Sequence, residues 1–235
     1  QARSQNTKAY AFTSPRRGAG KTSVTIGVAS SLAMSGTRTL VVDCDLAGRI
    51  SRGQPGAPAD HAQAKEDFLN GTSNGKDRFG PIDDEGSSSE NASLDNIVIE
   101  QGYISEDDTQ ELATNTTGKV GITGVLDGAA LQDCVVEATV SGLWLLPAVN
   151  AQPRHIGKMS DAFIRDVIAQ AEDHYALVLF DTGPLPGSVE ALLVTSQADG
   201  VVVVVPQGES RQALDRTMSY HKVVGAKVPG TVINR

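Results

Sequence analysis

The chain has 235 residues, of which 28 are acidic and 20 are basic, for a net charge of −8. Apolar residues make up 40% of the chain and aromatic residues 4%, which predicts an aliphatic core in one large α/β domain or two small ones. The acidic balance argues against non-specific binding of nucleic acid, since that requires surplus Lys and Arg to neutralise phosphates.

Two cysteines, Cys44 and Cys134, are too few for a disulfide-rich secreted scaffold. The sequence has neither a CxxC pair nor a close His/Cys cluster that would indicate zinc. No apolar run approaches the roughly 20 residues of a membrane span, and the polar N-terminus lacks an apolar signal region. We therefore expect a cytoplasmic domain, or the soluble piece of a longer protein.

Apolar runs alternate with helical patterns along the chain. Strands are predicted at Lys8–Thr13, Thr39–Asp43, Leu143–Leu146, Ala176–Asp181, Val201–Val205 and Gly230–Asn234. Helices are predicted at Gly20–Ser35, in short pieces over Gly124–Val136, along Met159–Ala171, and at Ser188–Thr195 and Arg211–Val223. Strands that are aliphatic throughout are buried on both faces, which predicts an α/β fold: a doubly wound, mainly parallel sheet with helices on both faces. Ligands of such sheets bind at the carboxyl ends of the strands.

An acidic segment interrupts this alternation after the second strand. Residues 51–118 hold 14 of the 28 acidic residues and 4 of the 20 basic ones, and 25% of the segment is apolar. Burial of this small apolar surface would not offset the conformational entropy that the segment loses on ordering. We therefore expect a mobile surface insertion over 51–95, either a solvated loop or a partner-binding arm. Ser105 and the acids after it predict a short helix reaching about Ala113. We assign residues 1–235 to one domain that carries this insertion.

A phosphate-binding loop is predicted between the first strand and the first helix. The sequence Ser14–Thr22 reads SPRRGAGKT, in which Pro15 replaces the first glycine of the usual GxxxxGK[ST] pattern. Glycines let the backbone approach phosphate oxygens, and the helix N-terminus offers unpaired N–H groups. Lys21 is expected to reach the β- and γ-phosphates, and the Thr22 hydroxyl is expected to bind Mg²⁺. The residues predicted to contact the nucleotide here are Arg17, Gly18, Ala19, Gly20, Lys21, Thr22 and Ser23.

Three aspartates follow apolar strands near this loop. Asp43 and Asp45 end the second strand on one side of the chain, with Cys44 on the other, and Asp181 ends a later strand. Carboxylates beside a phosphate loop are suited to hold Mg²⁺ through its water shell, and one of them is a candidate general base. With no histidine nearby in sequence, Cys44 is expected to pack in the core rather than act as a nucleophile.

The motifs AFTSPRRGAGKT, TLVVDCDLAGR, YALVLFDTGP, ADGVVVVV and GTVINR, in this order, resemble those of the bacterial tyrosine kinases. These are the cytoplasmic ATPase domains of capsule and exopolysaccharide chain-length regulators, in the superfamily of the septum-positioning and plasmid-partition ATPases. The resemblance covers about residues 8–50 and 119–235. It implies that Lys21 and Thr22 bind phosphate and Mg²⁺, that Asp45 and Asp181 serve the metal, and that Asp43 is the base for a tyrosine hydroxyl. It also implies that Asn234 contacts adenine.

The same resemblance implies a P-loop fold, ATP or ADP with Mg²⁺ as ligands, and regulation of polysaccharide export by tyrosine (auto)phosphorylation. It further implies a membrane-anchored export partner or fused membrane segment, a homo-oligomer, and a location at the inner face of the membrane. Arg16 holds the place of the partition ATPases' signature lysine. The family usually has a basic pair after the second motif and a proline at the place of Gly183. In this chain Ala47 and Gly48, followed by Arg49, stand in place of the basic pair.

Three other functions remain open on the sequence. A nucleotide-switch ATPase would hydrolyse ATP without tyrosine transfer, a P-loop ligase would act on a small carboxylate or amine, and a non-enzymatic scaffold would bind nucleotide and activate a partner. The resemblance implies a tyrosine-rich tail as the usual target of autophosphorylation, whereas the four tyrosines of these 235 residues are scattered. We therefore expect slow ATP hydrolysis and little tyrosine autophosphorylation from these 235 residues alone, with Tyr103 as the acceptor with most reach.

Overall fold

The computed structural model describes residues 8–53 and 121–235. Most of the acidic segment 51–118 lies outside the described residues, and so do the helix predicted from Ser105 to Ala113 and the mobility predicted for 51–95. Only residues 51–53 of the segment are described, and they form the last turn of a helix. The insertion and the single-domain assignment therefore stay predictions.

Seven strands of the described chain form one sheet in the order β3-β4-β2-β5-β1-β6-β7. β3 runs antiparallel to β4 and the other neighbours are parallel, which confirms the predicted mainly parallel α/β sheet. The strands are β1 (Lys8–Thr13), β2 (Thr39–Asp43), β3 (Val136–Glu137), β4 (Leu143–Leu146), β5 (Leu177–Asp181), β6 (Gly200–Pro206) and β7 (Gly230–Asn234).

Seven α-helices and one 3₁₀ turn, Leu131–Asp133, connect these strands in the described ranges. The helices are α1 (Lys21–Met34), α2 (Leu46–Gly53), α3 (Gly121–Leu126), α4 (Pro153–Lys158), α5 (Asp161–Ala171), α6 (Val189–Gln197) and α7 (Arg211–Val223). The helical prediction over Gly124–Val136 is wrong at its end, where Val136 begins β3. Neither α2 nor α4 is predictable from the apolar pattern, since both helices are short and rich in polar or small residues.

The buried residues of α1 combine one large apolar side chain with small ones. Ile26 is 1% exposed, and Thr25, Ala29 and Ala33 are buried beside it. Val24 packs partly against the same cluster, whereas Val28 is 37% exposed. The small side chains let the helix approach the sheet closely, and the helix predicted from Gly20 to Ser35 is confirmed over Lys21–Met34.

The sheet brings the predicted site together at one edge. In the parallel ladder between β2 and β5, Asp43 is the register partner of Asp181, and Phe12 of β1 is the partner of Asp181 on the other side. The loop that follows β1 therefore begins beside both carboxylates. Within the described residues, no helix is long and apolar enough to cross a membrane.

Candidate nucleotide-binding site

The loop between β1 and α1 has the backbone conformation of a phosphate cradle. Gly18 and Gly20 have positive φ values of 70° and 76°, which favour glycine. Gly20 is the N-cap of α1 and provides no side chain to its first turn, which leaves the helix N-terminus open to an anion. A Cβ on Gly20 would lie 2.1 Å from Asn234 Nδ2. The Asn234 amide donates to the Ala19 carbonyl at 3.2 Å and so connects the end of β7 to the loop.

The first residues of α1 point two functional groups at the strand ends. The Thr22 hydroxyl donates to Asp181 Oδ2 at 2.6 Å. Lys21 is 8% exposed, and its charge lowers the pKa of Asp181. Arg17 and Ser23, also predicted to contact nucleotide, are exposed at the edges of the loop.

Asp181 is the most perturbed carboxylate of the site. It is 3% exposed, and its Oδ1 has no hydrogen-bond partner in the part of the chain that the structure describes. Burial, followed by the charge of Asp43, raises the pKa of Asp181 to about 7, against the opposing effects of Lys21 and the Thr22 hydrogen bond. A buried oxygen without a partner beside a phosphate loop fits a metal ion or its bound water.

Asp43 is held from two sides. Its Oδ1 accepts the backbone N–H of Asp45 at 3.0 Å. Its Oδ2 accepts Arg49 Nε at 2.8 Å and also Arg49 Nη2. Nothing in the spacing of the motif predicts the Arg49 contact, because it depends on α2 starting at Leu46 and returning Arg49 to the strand end.

Asp45 is placed as a helix cap. Its Oδ1 accepts the Gly48 N–H at 3.2 Å. An N-cap carboxylate ordinarily accepts this bond from the backbone N–H three residues further along the chain. A Cβ on Gly48 would lie 2.2 Å from Asp45 Oδ2, so a larger residue at position 48 would displace the carboxylate. The charge of Asp45 also raises the pKa of Asp181. Asp45 therefore lies within electrostatic range of the predicted metal ligand.

A fourth carboxylate, Glu190, was not predicted. It is buried in the first turn of α6, where an acidic residue would ordinarily be interpreted as a surface complement to the helix dipole. Its Oε1 accepts the Ala47 N–H at 3.1 Å, and its Oε2 accepts the Ser188 hydroxyl at 3.1 Å. Gly183 permits this packing, because a Cβ there would lie 2.6 Å from Ser188 Cβ.

Cys44 packs in the core, as predicted. It is fully buried, and burial raises the pKa of its thiol well above the usual range, with the charge of Asp43 adding to the effect. A thiol of this kind is neutral and inert.

An open cleft of about 380 Å³ lies on the β7 side of the loop. It is lined by Val205, Pro206, Gln207, Gly208, Glu209, Ile233 and Arg235. Glu209 accepts Arg16 Nε at 2.9 Å, which joins the lip of the cleft to the phosphate loop.

The donor set fits Mg²⁺ better than a metal held by protein alone. No group of three or more His, Cys, Asp or Glu side chains in the described ranges could hold a metal ion by itself. Mg²⁺ is usually bound by one or two side-chain oxygens together with substrate phosphates and water. The Thr22 hydroxyl and the unpartnered Asp181 Oδ1 provide such oxygens.

A glycine-rich loop at a helix N-terminus, beside carboxylates on neighbouring parallel strands, defines a P-loop NTPase. The chain belongs to the AAA domain family, whose model matches residues 7–224. The resemblance to bacterial tyrosine kinases is confirmed as homology. The tyrosine-protein kinase CpsD of Streptococcus agalactiae is 26% identical over 161 residues, which cover 64% of this chain and 70% of that protein.

Solved structures agree with the fold. The kinase domain of the Escherichia coli tyrosine kinase ETK matches with a TM-score of 0.65 at 16% identity, over 98% of this chain and 68% of that one. The septum site-determining protein MinD of Pyrococcus horikoshii OT3, complexed with Mg-ADP, matches with a TM-score of 0.60 at 18% identity, over 97% of this chain and 70% of that one. The predicted P-loop NTPase fold is thereby confirmed, while the roles of individual residues stay predictions.

Proposed function

We propose that this domain binds Mg-ATP and transfers the γ-phosphoryl group to a tyrosine hydroxyl, as a regulator of capsule or exopolysaccharide export. The observation that carries the proposal is the Thr22–Asp181 hydrogen bond beside an unpartnered Asp181 Oδ1, next to the open N-terminus of α1. The homologous CpsD protein is named a tyrosine-protein kinase.

The loop supplies the phosphate site. Backbone N–H groups of Gly18–Thr22 surround the phosphates, and the positive end of α1 complements their charge. The buried Lys21 ammonium contacts the β- and γ-phosphate oxygens and stabilises the charge that shifts toward the bridging oxygen during transfer. The nucleotide base occupies the cleft beside Asn234, against the lining residues Pro206 and Ile233.

The Thr22 hydroxyl and Asp181 would hold Mg²⁺, and the Asp45 carboxylate would add negative charge beside it. When bound, Mg²⁺ neutralises charge on the β- and γ-phosphate oxygens. Metal binding requires the ionised form of Asp181, whose pKa burial raises to about 7. The affinity of the site for Mg²⁺ therefore increases with pH across neutrality.

Transfer is an in-line displacement at the γ-phosphorus. A bond forms between the attacking hydroxyl oxygen and phosphorus while the bond from phosphorus to the β,γ-bridging oxygen breaks, and ADP leaves with that electron pair. Asp43 accepts a hydrogen bond from the attacking hydroxyl and takes its proton. Water in place of the tyrosine hydroxyl gives hydrolysis by the same step.

Incubation with Mg²⁺ and ATP labelled on the γ-phosphate tests this function. Label recovered as phosphotyrosine supports the kinase, and label recovered only as free phosphate supports the switch ATPase. The Lys21→Met variant should lose both products, while Lys222→Met, which removes an exposed lysine of α7, should keep them. Absence of both products, in a protein whose melting temperature nucleotide leaves unchanged, would overturn the proposal.

The switch ATPase is kept as a second candidate on one observation. Among the described tyrosines, Tyr175 is buried, Tyr10 is half-buried, and Tyr220 on α7 is 39% exposed. These tyrosines lie on or beside regular elements, so none is free to swing into line with a γ-phosphate. The acceptor of the kinase reaction is therefore a tyrosine outside the described residues or on another protein.

We further propose that the domain acts at the inner face of the membrane, through a membrane-anchored export partner or a fused membrane segment, and as a homo-oligomer. The homology to the tyrosine-protein kinase CpsD supports this assignment. Sedimentation with and without Mg-ATP measures the oligomer, and a monomer under both conditions would contradict it.

A further inference from the structure

Arg49 makes an unusual contact for a residue on the first turns of a helix. Its guanidinium turns back toward the strand end and donates from Nε and Nη2 to the same oxygen, Asp43 Oδ2. Both side chains are buried, with 9% of Arg49 and 2% of Asp43 exposed. Charge-assisted bonds of this kind are short and strong when they are removed from water.

The contact leaves the two oxygens of Asp43 unequal. A carboxylate oxygen has about two acceptor sites, and both sites of Oδ2 are taken by Arg49. Oδ1 accepts only the Asp45 N–H in the described contacts and keeps one site. The carboxylate is held at both ends, so its plane is fixed and Oδ1 is the oxygen that remains to receive a further donor.

The helix that carries Arg49 is itself anchored at its first turn. Asp45 accepts the Gly48 N–H, and the buried Glu190 accepts the Ala47 N–H. These two bonds fix the start of α2 relative to β2 and α6. The guanidinium is therefore delivered from a rigid support, which is what precise orientation of a reacting group requires.

From these contacts we propose that Arg49 is a positioning residue for phosphoryl transfer, which orients Asp43 so that Oδ1 meets the attacking hydroxyl. The inference rests on the proposed function, in which Asp43 accepts that hydroxyl. Lysine cannot replace the contact fully, because its ammonium is a point charge without the planar fork that reaches one oxygen twice. Arg49 does not contact nucleotide in this assignment, so its loss should change turnover and not nucleotide binding.

The kinetic test compares Arg49→Lys and Arg49→Ala with the unmodified chain. We expect kcat for ATP to fall roughly 10- to 100-fold in Arg49→Ala and less in Arg49→Lys, because the Asp43 carboxylate would then be misplaced for the reaction. The KM for ATP and the Kd of a fluorescent ADP analogue should stay within about 3-fold, since uniform binding is untouched. Guanidinium ion at a non-denaturing concentration should restore part of the Arg49→Ala rate. Arg165→Met, which removes an exposed arginine of α5, is the control and should leave kcat unchanged.

A second measurement does not depend on activity. In a ¹H–¹⁵N spectrum, the hydrogen-bonded Arg49 Nε–H should give a slowly exchanging signal that disappears in Arg49→Lys and in Asp43→Asn. If Arg49→Ala fails to fold because it leaves Asp43 buried without its partner, Arg49→Lys carries the test.

Three results would overturn the inference. The first is an unchanged kcat in Arg49→Lys together with the absence of a protected Arg49 Nε–H signal in the unmodified chain. The second is faster turnover in Arg49→Ala, and the third is a raised KM for ATP with unchanged kcat in the Arg49 variants. Failure of the unmodified chain to bind nucleotide would refute the proposed function instead, and the Nε–H signal would still report on the Arg49–Asp43 contact.

Discussion

Replacing Asp181 with asparagine should make the stability of the nucleotide-free protein less sensitive to pH, so that the variant gains stability relative to the unmodified chain as pH rises from 4 to 7. The pKa of Asp181 rises from 3.8 to about 7, chiefly through burial and then through the charge of Asp43. Between these two values the folded state keeps a proton that the unfolded state has lost. The free energy of unfolding therefore falls as pH rises through this window, and the penalty is complete above about pH 7.

The size of the effect follows from the shift. Each unit of pKa difference corresponds to about 1.4 kcal/mol, so a change from 3.8 to about 7 gives roughly 4 kcal/mol as an upper bound. Asparagine removes the charge and keeps an oxygen that can accept the Thr22 hydroxyl. Its new N–H₂ group lacks a described partner at the Oδ1 position, which costs about 1–3 kcal/mol at every pH. The pH-dependent part of the difference is therefore the quantity to measure.

Urea unfolding in EDTA without nucleotide, at several pH values between 4.5 and 8.5, measures it. The free energy of unfolding of the unmodified chain should fall across this range relative to that of Asp181→Asn. Asp166→Asn makes the same chemical change on an exposed position of α5 and should follow the unmodified chain. Parallel pH curves for the unmodified chain and Asp181→Asn would show that Asp181 does not retain its proton in the folded state, and would refute the reasoning.

Three further predictions concern the loop and the metal. Thr22→Val removes a proposed Mg²⁺ ligand, so it should lower the Mg²⁺-dependent affinity for ADP by at least about 10-fold in a fluorescence titration and leave the Mg²⁺-free affinity nearly unchanged. Gly20→Ala should lower the free energy of unfolding by more than about 1–2 kcal/mol, because the left-handed backbone alone costs alanine that much and the new Cβ would also meet Asn234. An unchanged free energy of unfolding would contradict this conformation of the loop. Mg-ADP binding at pH 7 should release roughly half a proton from Asp181, seen by calorimetry in buffers of different ionisation enthalpy, and none in Asp181→Asn.

Most of the sheet was predictable because strands such as β2, β5 and β6 are nearly continuous apolar runs. The bounds predicted for Lys8–Thr13, Thr39–Asp43, Leu143–Leu146 and Gly230–Asn234 agree with the structure. Burial on both faces selects such runs strongly, so local pattern and tertiary context agree. The exposure of Val28 was not predictable, because its helical spacing with Val24 and Leu32 does not report which of these side chains reaches the sheet.

The phosphate loop and the three aspartates were predictable as a set, since glycine spacing and strand ends are local features of the sequence. The partners of those aspartates were not. Arg49 contacts the strand end because of the direction that α2 takes, and Glu190 contacts the start of α2 because of where α6 begins. Both residues satisfy buried hydrogen-bonding groups, and such pairings depend on three-dimensional geometry that single-sequence spacing does not encode.

The carboxylates of this site explain why it should respond to metal and nucleotide together. Asp43 and Asp181 are register partners on adjacent strands, and each is almost fully buried. Arg49 offsets the charge of Asp43, whereas the charge of Asp181 is opposed mainly by Lys21, which the nucleotide phosphates also require. When nucleotide phosphates bind to Lys21, less of its positive charge is available to stabilise the ionised Asp181, unless a cation binds together with the phosphates. Nucleotide alone should therefore bind weakly at neutral pH, and Mg²⁺ should raise its affinity by restoring positive charge at Asp181.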